Sequence, residues 1–366
     1  MPVLAFLTSI LFIPGIPSPA TTPRWALLML VIPLLWYRSP GRITAGHLLG
    51  ACFLAWAALS LTWTFNLYDG ARGALLLGLL ALIFCAAPLS LRRVYGAMAI
   101  GLTLNSAVVI AQIYGWDVLS QGAVPGGLFF NKNFGGELAA MVFAGAVATR
   151  LWWAIPGLLP TLALSECRGA WVALGVAGII LIWQRNKLAA TVLTAAIALA
   201  ATRVWLTYPS TAQRVDLWLD TWDGFNFWGK GLGSFFTTFP EYASRIDPMR
   251  WRPSTAHADL INLTYELGPG VLLLLGLLVY ALRTRPIRAE HYVLIVFLTE
   301  GLVGFPLYVP ATAFLAALVL GSLCRDRPEL RPALAWRRAR VLFSQARARR
   351  RTDPDPSAPR GNAVAV

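Results

Sequence analysis

The sequence predicts an all-α, polytopic membrane protein with about twelve transmembrane helices and one long loop between the ninth and tenth. Of the 366 residues, 57% are hydrophobic and only 13% are charged. Apolar runs approaching ~20 residues, enough to cross a bilayer, recur along most of the chain. The net charge of +14 comes from short loops and a C-terminal cluster. That distribution is typical of membrane topology and argues against nucleic-acid binding.

The apolar runs and their flanking charges predict the individual spans. They centre on residues 3–19, 24–37, 45–64, 73–90, 94–115, 134–149, 151–166, 169–183, 188–206, 258–282, 289–306 and 308–324. The first run has no basic region before it, so it is predicted to be a span and not a cleavable signal peptide. Arg38, Arg92, Arg150 and Arg288 all fall on one side if the N-terminus starts there, which predicts that both termini are cytoplasmic.

The loop at residues 207–257 is the long polar segment of the chain, and a loop of that length is usually functional. Within it, Val215, Trp218 and Trp222 recur at helical spacing, with Asp216 and Asp220 opposite. This pattern predicts an interfacial helix over residues 211–222, with its tryptophans at headgroup level. The glycines of WGKGLGS, residues 228–234, predict a tight turn; the spacing does not fit a dinucleotide fingerprint.

Several basic residues fall on the translocated side, against the topological bias. They are Lys132, Arg168, Arg203, Arg214, Lys230, Arg245, Arg250 and Arg252. One explanation is an anionic ligand at the outer leaflet. The other is that a long loop is translocated whatever its charge. Arg168 favours the ligand, because it lies in a very short turn between two spans.

His257 comes just before the tenth span. Ser254 or Thr255 can cap the helix that follows, which places His257 in its first turn. The partial positive charge there favours a neutral imidazole able to accept a proton. The alternative is an exposed interfacial histidine. Glu266, further along, is predicted to bond to Asn105 or Gln112 in a structural role.

Four cysteines are scattered without a CxxC pair or a His/Cys cluster, so no metal site and no disulfide framework are predicted. Residues 1–324 form the predicted transmembrane domain, with the loop 207–257 inside it. Residues 325–366 form a basic cytoplasmic tail, predicted to lie on anionic lipid and to end in a disordered segment.

Five short motifs follow one another in a recognisable order: Asn131-Lys132-Asn133, Ser165-Glu166-Cys167-Arg168-Gly169, Arg214 with Trp218, the WGKGLGS turn, and His257 nine residues before Glu266-Leu267-Gly268. In order and topology this resembles the O-antigen ligase and polymerase superfamily of bacterial envelope glycosyltransferases, over roughly residues 120–280. Family members typically have Asn-Pro-Asn, Ser-Arg-Gly and His-Asn. Here Lys132, Cys167 and Ala258 replace the proline, the serine and the residue after the histidine.

The resemblance implies a GT-C-like fold in the bacterial inner membrane. It also implies inverting transfer of a glycan from undecaprenyl pyrophosphate to a hydroxyl acceptor, such as lipid A core, at the periplasmic face, without metal or nucleotide sugar. His257 would be the base, and Arg168 and Arg214 would stabilise the pyrophosphate leaving group. The expected substrate-binding residues are Arg203, Arg250, Arg252, Lys132, Asn133 and Glu166. Glu166 is expected to orient Arg168.

Three other functions fit the same sequence. A polymerase of the same class would use a second carrier-linked glycan as acceptor. A lipid or glycan flippase or another transporter would also suit twelve spans, although there is no internal repeat and the polar residues gather on one face. A non-catalytic scaffold descended from the transferase is the third, because Ala258 removes a side chain beside the histidine.

Overall fold

The computed structural model describes residues 1–16, 18–36, 43–116, 119, 125–184, 186–207 and 209–325. Within these ranges the regular elements are helices, as the sequence predicts, and no strand is present. The predicted tail, apart from Arg325, lies outside the described residues. The α-helices are α1 (Pro2–Ile10), α2 (Thr21–Trp36), α3 (Ala45–Leu59), α4 (Leu67–Cys85), α5 (Arg92–Ile113), α6 (Lys132–Ala148), α7 (Ile155–Leu164), α8 (Arg168–Trp183), α9 (Lys187–Thr207), α10 (Pro209–Asp223), α11 (Phe235–Thr238), α12 (Asp259–Leu267), α13 (Val271–Leu282), α14 (Ala289–Val303) and α15 (Pro310–Arg325).

Four helical segments of the described chain are long and apolar enough to cross a membrane. They are Ala45–Thr62, Leu67–Cys85, Arg92–Ile113 and Asp259–Leu282. Other apolar helices are shorter, at 10–17 residues. Helix α1 ends at Ile10, whereas the sequence predicted a span to residue 19, because Pro14 and Pro19 cannot continue a helix. The structure therefore supports a membrane protein, and the set of about twelve spans stays a prediction.

The helices run back and forth between two ends of a bundle. At one end, Arg92 donates to the carbonyl of Thr149, and Arg288 donates to the carbonyl of Ser322. At the other end, Lys132 meets Glu166 and His257 meets Phe305. The end that holds His257 is called the site end below. The opposite end carries Arg92, Arg150 and Arg288, which the sequence assigns to the cytoplasm.

Small residues allow the central helices to pack closely. A Cβ atom on Gly145 of α6 would lie 2.8 Å from the ring of Tyr95 on α5. On α7, a Cβ atom on Gly157 would collide with Thr103 of α5. Helices α4 to α8, α14 and α15 contribute to one continuous apolar core. Helix α6 lies inside that core, and its first turn is at the site end.

The WGKGLGS segment clamps the long loop to the bundle. Lys230 and Gly231 donate backbone hydrogen bonds to the carbonyls of Tyr265 and Glu266, at 3.0 and 2.9 Å. Gly229, Gly231 and Gly233 have positive φ, and a Cβ atom on each would collide with backbone of another segment. Glu266 accepts a hydrogen bond from the backbone of Phe235, so the predicted bond to Asn105 or Gln112 was wrong. Asn105 and Gln112 instead bind the backbone of Leu128 and Gly127.

Helix α10 contains the predicted helix 211–222. Leu217 and Asp220 are buried, whereas Trp222 is 64% exposed. Asp220 is buried because it accepts hydrogen bonds from Ser244, from the backbone of Arg245 and Ile246, and from the Arg245 side chain. Asp220, which the sequence pattern places opposite the tryptophans, is therefore bound within the loop. The exposed Leu219 and Trp222 remain suitable for a membrane interface.

Candidate functional site

The segment Val303–Phe305, at the end of α14, is the centre of the candidate site. Its first carbonyl, on Val303, accepts a hydrogen bond from Nη1 of Arg214. Its second, on Gly304, accepts one from the backbone N–H of Asp259 at 3.1 Å. The Phe305 ring meets the His257 ring edge to face, with 4.9 Å between centroids. Three consecutive residues thus hold the long loop, α12 and His257.

Helix α10 brings Arg214 to the side of the bundle where His257 lies. Trp218, one turn after Arg214, donates from Nε1 to the carbonyl of Ala256 at 3.0 Å. The backbone N–H of Ala256 in turn donates to the side chain of Asn262 at 3.0 Å. The residue before His257 is therefore held from two sides, by α10 and by α12.

His257 lies before helix α12 and not in its first turn, so that prediction was wrong. Its φ of +50° is in the left-handed region, which a right-handed helix cannot accommodate, and α12 begins at Asp259 with Ala258 as its N-cap. Thr255 does not cap the helix; its hydroxyl accepts from the backbone N–H of His257 at 3.4 Å. Strained backbone of this kind is often found at functional sites.

The His257 imidazole is nevertheless neutral at pH 7. Burial, and after it the positive charge of Arg214, together lower its pKa to about 4. Trp251 and Phe305 flank the ring, and Nδ1 is buried without a hydrogen-bond partner among the described residues. The neutral state that the sequence attributed to a helix end therefore arises from burial and from Arg214.

Arg168 is brought to the same segment by the start of α8. A Cβ atom on Gly169 would lie 3.5 Å from Cγ2 of Val303, so the first turn of α8 packs on the residue that binds Arg214. The Arg168 side chain is exposed. Burial lowers the pKa of Arg214, and the charge of Arg168 contributes in the same direction. Arg168, Arg214 and His257, predicted from three distant motifs, thus lie around one segment.

The Asn131-Lys132-Asn133 motif opens α6 beside the Ser165–Gly169 turn. Asn131 caps the helix by accepting from the backbone N–H of Asn133 at 2.9 Å. Lys132 donates to Glu166 at 2.7 Å, and this hydrogen bond lowers the pKa of Glu166. Glu166 thus forms an ion pair with Lys132, and the charge of Arg168 lowers the pKa of Glu166 in the same direction. The role expected from the sequence, in which Glu166 orients Arg168, stays a prediction. Phe134 packs on Phe305, with 5.7 Å between ring centroids.

The other predicted binding residues have separate surroundings. Arg250 forms an exposed ion pair with Asp247 at 3.5 Å. The guanidinium of Arg252 lies 4.3 Å from the ring centroid of Phe236. The backbone of Arg203 belongs to α9, but its side chain is outside the described part of the structure. Within the described residues, no hydrogen bond, ion pair or ring contact links Arg250 or Arg252 to the segment Val303–Phe305, and their role in binding stays a prediction.

Two buried acids near the site were missed from the sequence. Glu137, in the second turn of α6, has Oε1 only 3.0 Å from the position of a Cβ atom on Gly304. Glu300, on α14, is 1% exposed and its carboxylate has no hydrogen-bond partner within the described chain. An acidic residue inside an apolar span is itself a functional signal. That signal was available in both predicted spans.

Comparisons with known proteins assign no family to this chain: no family model matches it, and no curated protein does.

Proposed function

We propose that the protein transfers a glycan, with inversion, from undecaprenyl pyrophosphate to a hydroxyl acceptor at the periplasmic face of the bacterial inner membrane. The observation that carries this proposal is the meeting of Arg168, Arg214 and His257 around Val303–Phe305. Two arginines beside a neutral imidazole suit a reaction with an anionic leaving group and a protonated nucleophile. The resemblance to the ligase superfamily supplies the substrate class.

The arginines would act on the leaving group. As the acceptor oxygen attacks the anomeric carbon, the bond to the pyrophosphate oxygen breaks and its electron pair stays on the pyrophosphate. Arg168 and Arg214 stabilise that charge, and Arg214 is half-buried, where a charge interaction is less screened. The first turns of α6 and α8 also face this end of the bundle, and helix N-termini favour anions. One displacement of this kind inverts the anomeric centre.

His257 would take the proton from the acceptor hydroxyl during the attack. In the substrate-free protein its pKa is about 4, because burial and Arg214 both disfavour imidazolium. A bound pyrophosphate compensates the Arg214 charge, so the imidazole becomes a stronger base when the donor is present. Donor binding thereby prepares the base for the acceptor.

The proposal includes a fold and a membrane orientation. About twelve spans, arranged as in GT-C transferases, would place both termini in the cytoplasm and the site end in the periplasm. The acceptor would be lipid A core, as in a ligase. A polymerase differs only in using a second carrier-linked glycan as acceptor.

The mechanism is tested with the full chain in proteoliposomes and undecaprenyl-pyrophosphate-linked glycan as donor. His257→Ala and Arg168→Ala should each lower transfer by at least ~100-fold, the scale expected for a lost base or charge stabiliser. Arg72→Ala removes an exposed arginine from α4 and is the matched control, with transfer unchanged. Full activity of both site variants, with normal membrane insertion, would overturn the mechanism.

The acceptor is tested by complementation of ligase-null and polymerase-null cells, with the lipopolysaccharide ladder as the readout. Restoration in the first strain supports the ligase, and restoration in the second supports the polymerase. If neither ladder returns but carrier-linked glycan crosses the membrane faster, the protein is a flippase. If there is no change in either measurement, the non-catalytic scaffold replaces the proposal.

A further inference from the structure

A separate, partly open cavity of about 450 Å³ lies between helices of the bundle. One wall is made by α13 and α14, and the other by α3, α4 and α15. It extends from Phe84 and Leu282, towards the end opposite the site, to Asp259 and Leu307 at the site end. The lining is almost entirely aliphatic and aromatic, and Asp259 is its charged residue.

Small residues leave this space open. Six of the lining residues have a side chain no larger than a methyl group: Gly50, Ala81, Gly301, Ala313, Ala316 and Ala317. A Cβ atom on Gly50 would meet only Leu277, at an ordinary contact distance of 3.8 Å. Protein interiors are otherwise close-packed, and apolar space on this scale is typical of a ligand pocket.

The polar end of the cavity adjoins the candidate site. Asp259 follows His257 by two residues, and its backbone N–H donates to Gly304, at the centre of that site. One of its carboxylate oxygens accepts from the backbone N–H of Leu307 at 3.0 Å, and the other has no partner in the described structure. A chain lying in the cavity would therefore end beside His257 and Arg214.

We propose that this cavity binds one hydrocarbon chain of a membrane lipid, with the first carbons of the chain at the Asp259 end. Apart from Asp259 at one end and Thr299, the lining offers no polar partner for a sugar, a peptide or water, whereas an aliphatic or polyprenyl chain needs none. Two sources have this chemistry. One is the polyprenyl tail of the donor, which rests on the proposed function, and the other is an acyl chain of a bilayer phospholipid.

Photo-labelling of the full chain in nanodiscs tests the proposal. The probes are a diazirine-tagged polyprenyl phosphate and a diazirine-tagged phosphatidylethanolamine, with labelled residues identified by mass spectrometry. We expect labelling at Leu277, which is buried and lines the cavity, as well as at outward-facing residues such as Leu272. Labelling confined to outward-facing residues in the unmodified protein would overturn the proposal.

Two substitutions on opposite walls of the cavity test the proposal further, because each replaces a small side chain with one that fills the space. Ala316→Phe and Gly50→Val should each lower labelling of Leu277 several-fold, while Ala195→Phe, at an exposed position of α9, should not. Unchanged labelling of Leu277 in both folded variants would also contradict the cavity as the binding site. When both lipids are present together, the probe that still labels Leu277 identifies which of the two the cavity binds. Because labelling needs no transfer, loss of the proposed activity and loss of chain binding can be told apart.

Discussion

The neutral imidazole of His257 was predicted from the sequence, but the reason given for it was wrong. Its position after a polar loop and before an apolar run indicated a proton acceptor, and the structure gives a neutral imidazole. The left-handed backbone that keeps it out of α12 has no sequence signal, because histidine rarely adopts it. The proximity of Arg214 depends on how α10 docks, which local patterns do not encode.

The low pKa of His257 predicts an unusual pH dependence of its reaction with diethyl pyrocarbonate. Only neutral imidazole reacts, so modification should continue at pH 5 and fall by half near pH 4. The modification rate of a free histidine derivative, which has an ordinary pKa, should fall by half at pH ~6.5 instead. Peptide-resolved mass spectrometry follows the rate.

Arg214→Gln supplies the control for that measurement. Removing the positive charge should move the midpoint to higher pH, because one of the two causes of the shift is lost. A wild-type midpoint near pH 6.5 would show that the ring is neither desolvated nor close to Arg214.

Glu137 and Glu300 are the two buried acids near the site that were not predicted from the sequence. Each is a single acid within an apolar span, so neither disturbed the prediction of a helix. The two carboxyl groups lie close enough to interact because α6 and α14 are neighbours, and a single sequence does not reveal which helices pair. The predicted residues came from loops, where polar groups are conspicuous.

Helices were predicted well because each apolar run has a length and flanking charges of its own. The start of α8 at Arg168 and of α14 at Ala289 fall within a residue of the predicted spans. The break between α12 and α13 at Gly268–Gly270 was less visible, because apolar residues continue on both sides. The burial of Asp220 on α10 could not be predicted, because its hydrogen-bond partners lie 24 to 26 residues away.

The glycine clamp predicts a large stability difference between two similar substitutions. Gly231 has φ +90°, and a Cβ atom there would lie 2.4 Å from backbone of Thr64. Gly231→Ala should therefore lower the free energy of unfolding by at least ~2 kcal/mol, from strain and collision together. The thermal midpoint in detergent is the measurement.

Gly78→Ala is the matched control for the clamp. It lies in α4, and nothing is within 4 Å of its Cβ position. In a helix interior, alanine is favoured over glycine by ~1 kcal/mol, so this variant should be neutral or slightly more stable. Equal effects of both substitutions would mean that the segment is not clamped.

Asp220 predicts an acid-sensitive attachment of the loop. Burial alone would raise its pKa, but hydrogen bonds from Arg245, Ile246 and Ser244 lower it overall. A carboxyl whose pKa is depressed by folding contributes stability that is present above its ordinary pKa of ~3.9 and lost as pH falls through the folded value. Wild-type protein should therefore lose this contribution below about pH 4.

Asp220→Asn should abolish that contribution at neutral pH, at a cost of about 3 kcal/mol for breaking a buried charged network. Asp247→Asn is the control, since its ion pair with Arg250 is exposed and worth less than ~1 kcal/mol. Thermal unfolding between pH 3 and pH 8 distinguishes them. An unaltered midpoint for Asp220→Asn would contradict the role of this carboxylate.

The molecule as a whole is predicted to expose the site end to the periplasm. In a background without native cysteines, Asp247→Cys should react with a membrane-impermeant maleimide in intact spheroplasts. Arg93→Cys, at the opposite end of the bundle, should react only after permeabilisation. The reverse pattern would place His257 in the cytoplasm and remove the proposed donor from its reach.

The position of Val303–Phe305 late in the chain has a consequence for biosynthesis. Arg168, Arg214 and His257 all leave the ribosome before α14, and domains generally assemble in the order of synthesis. Their common partner arrives only with α14 and α15, the last two helices of the described chain, so the nascent chain holds the reactive groups apart until these helices are made. A nascent chain arrested before Val303 would therefore hold every predicted catalytic residue and still lack an assembled site.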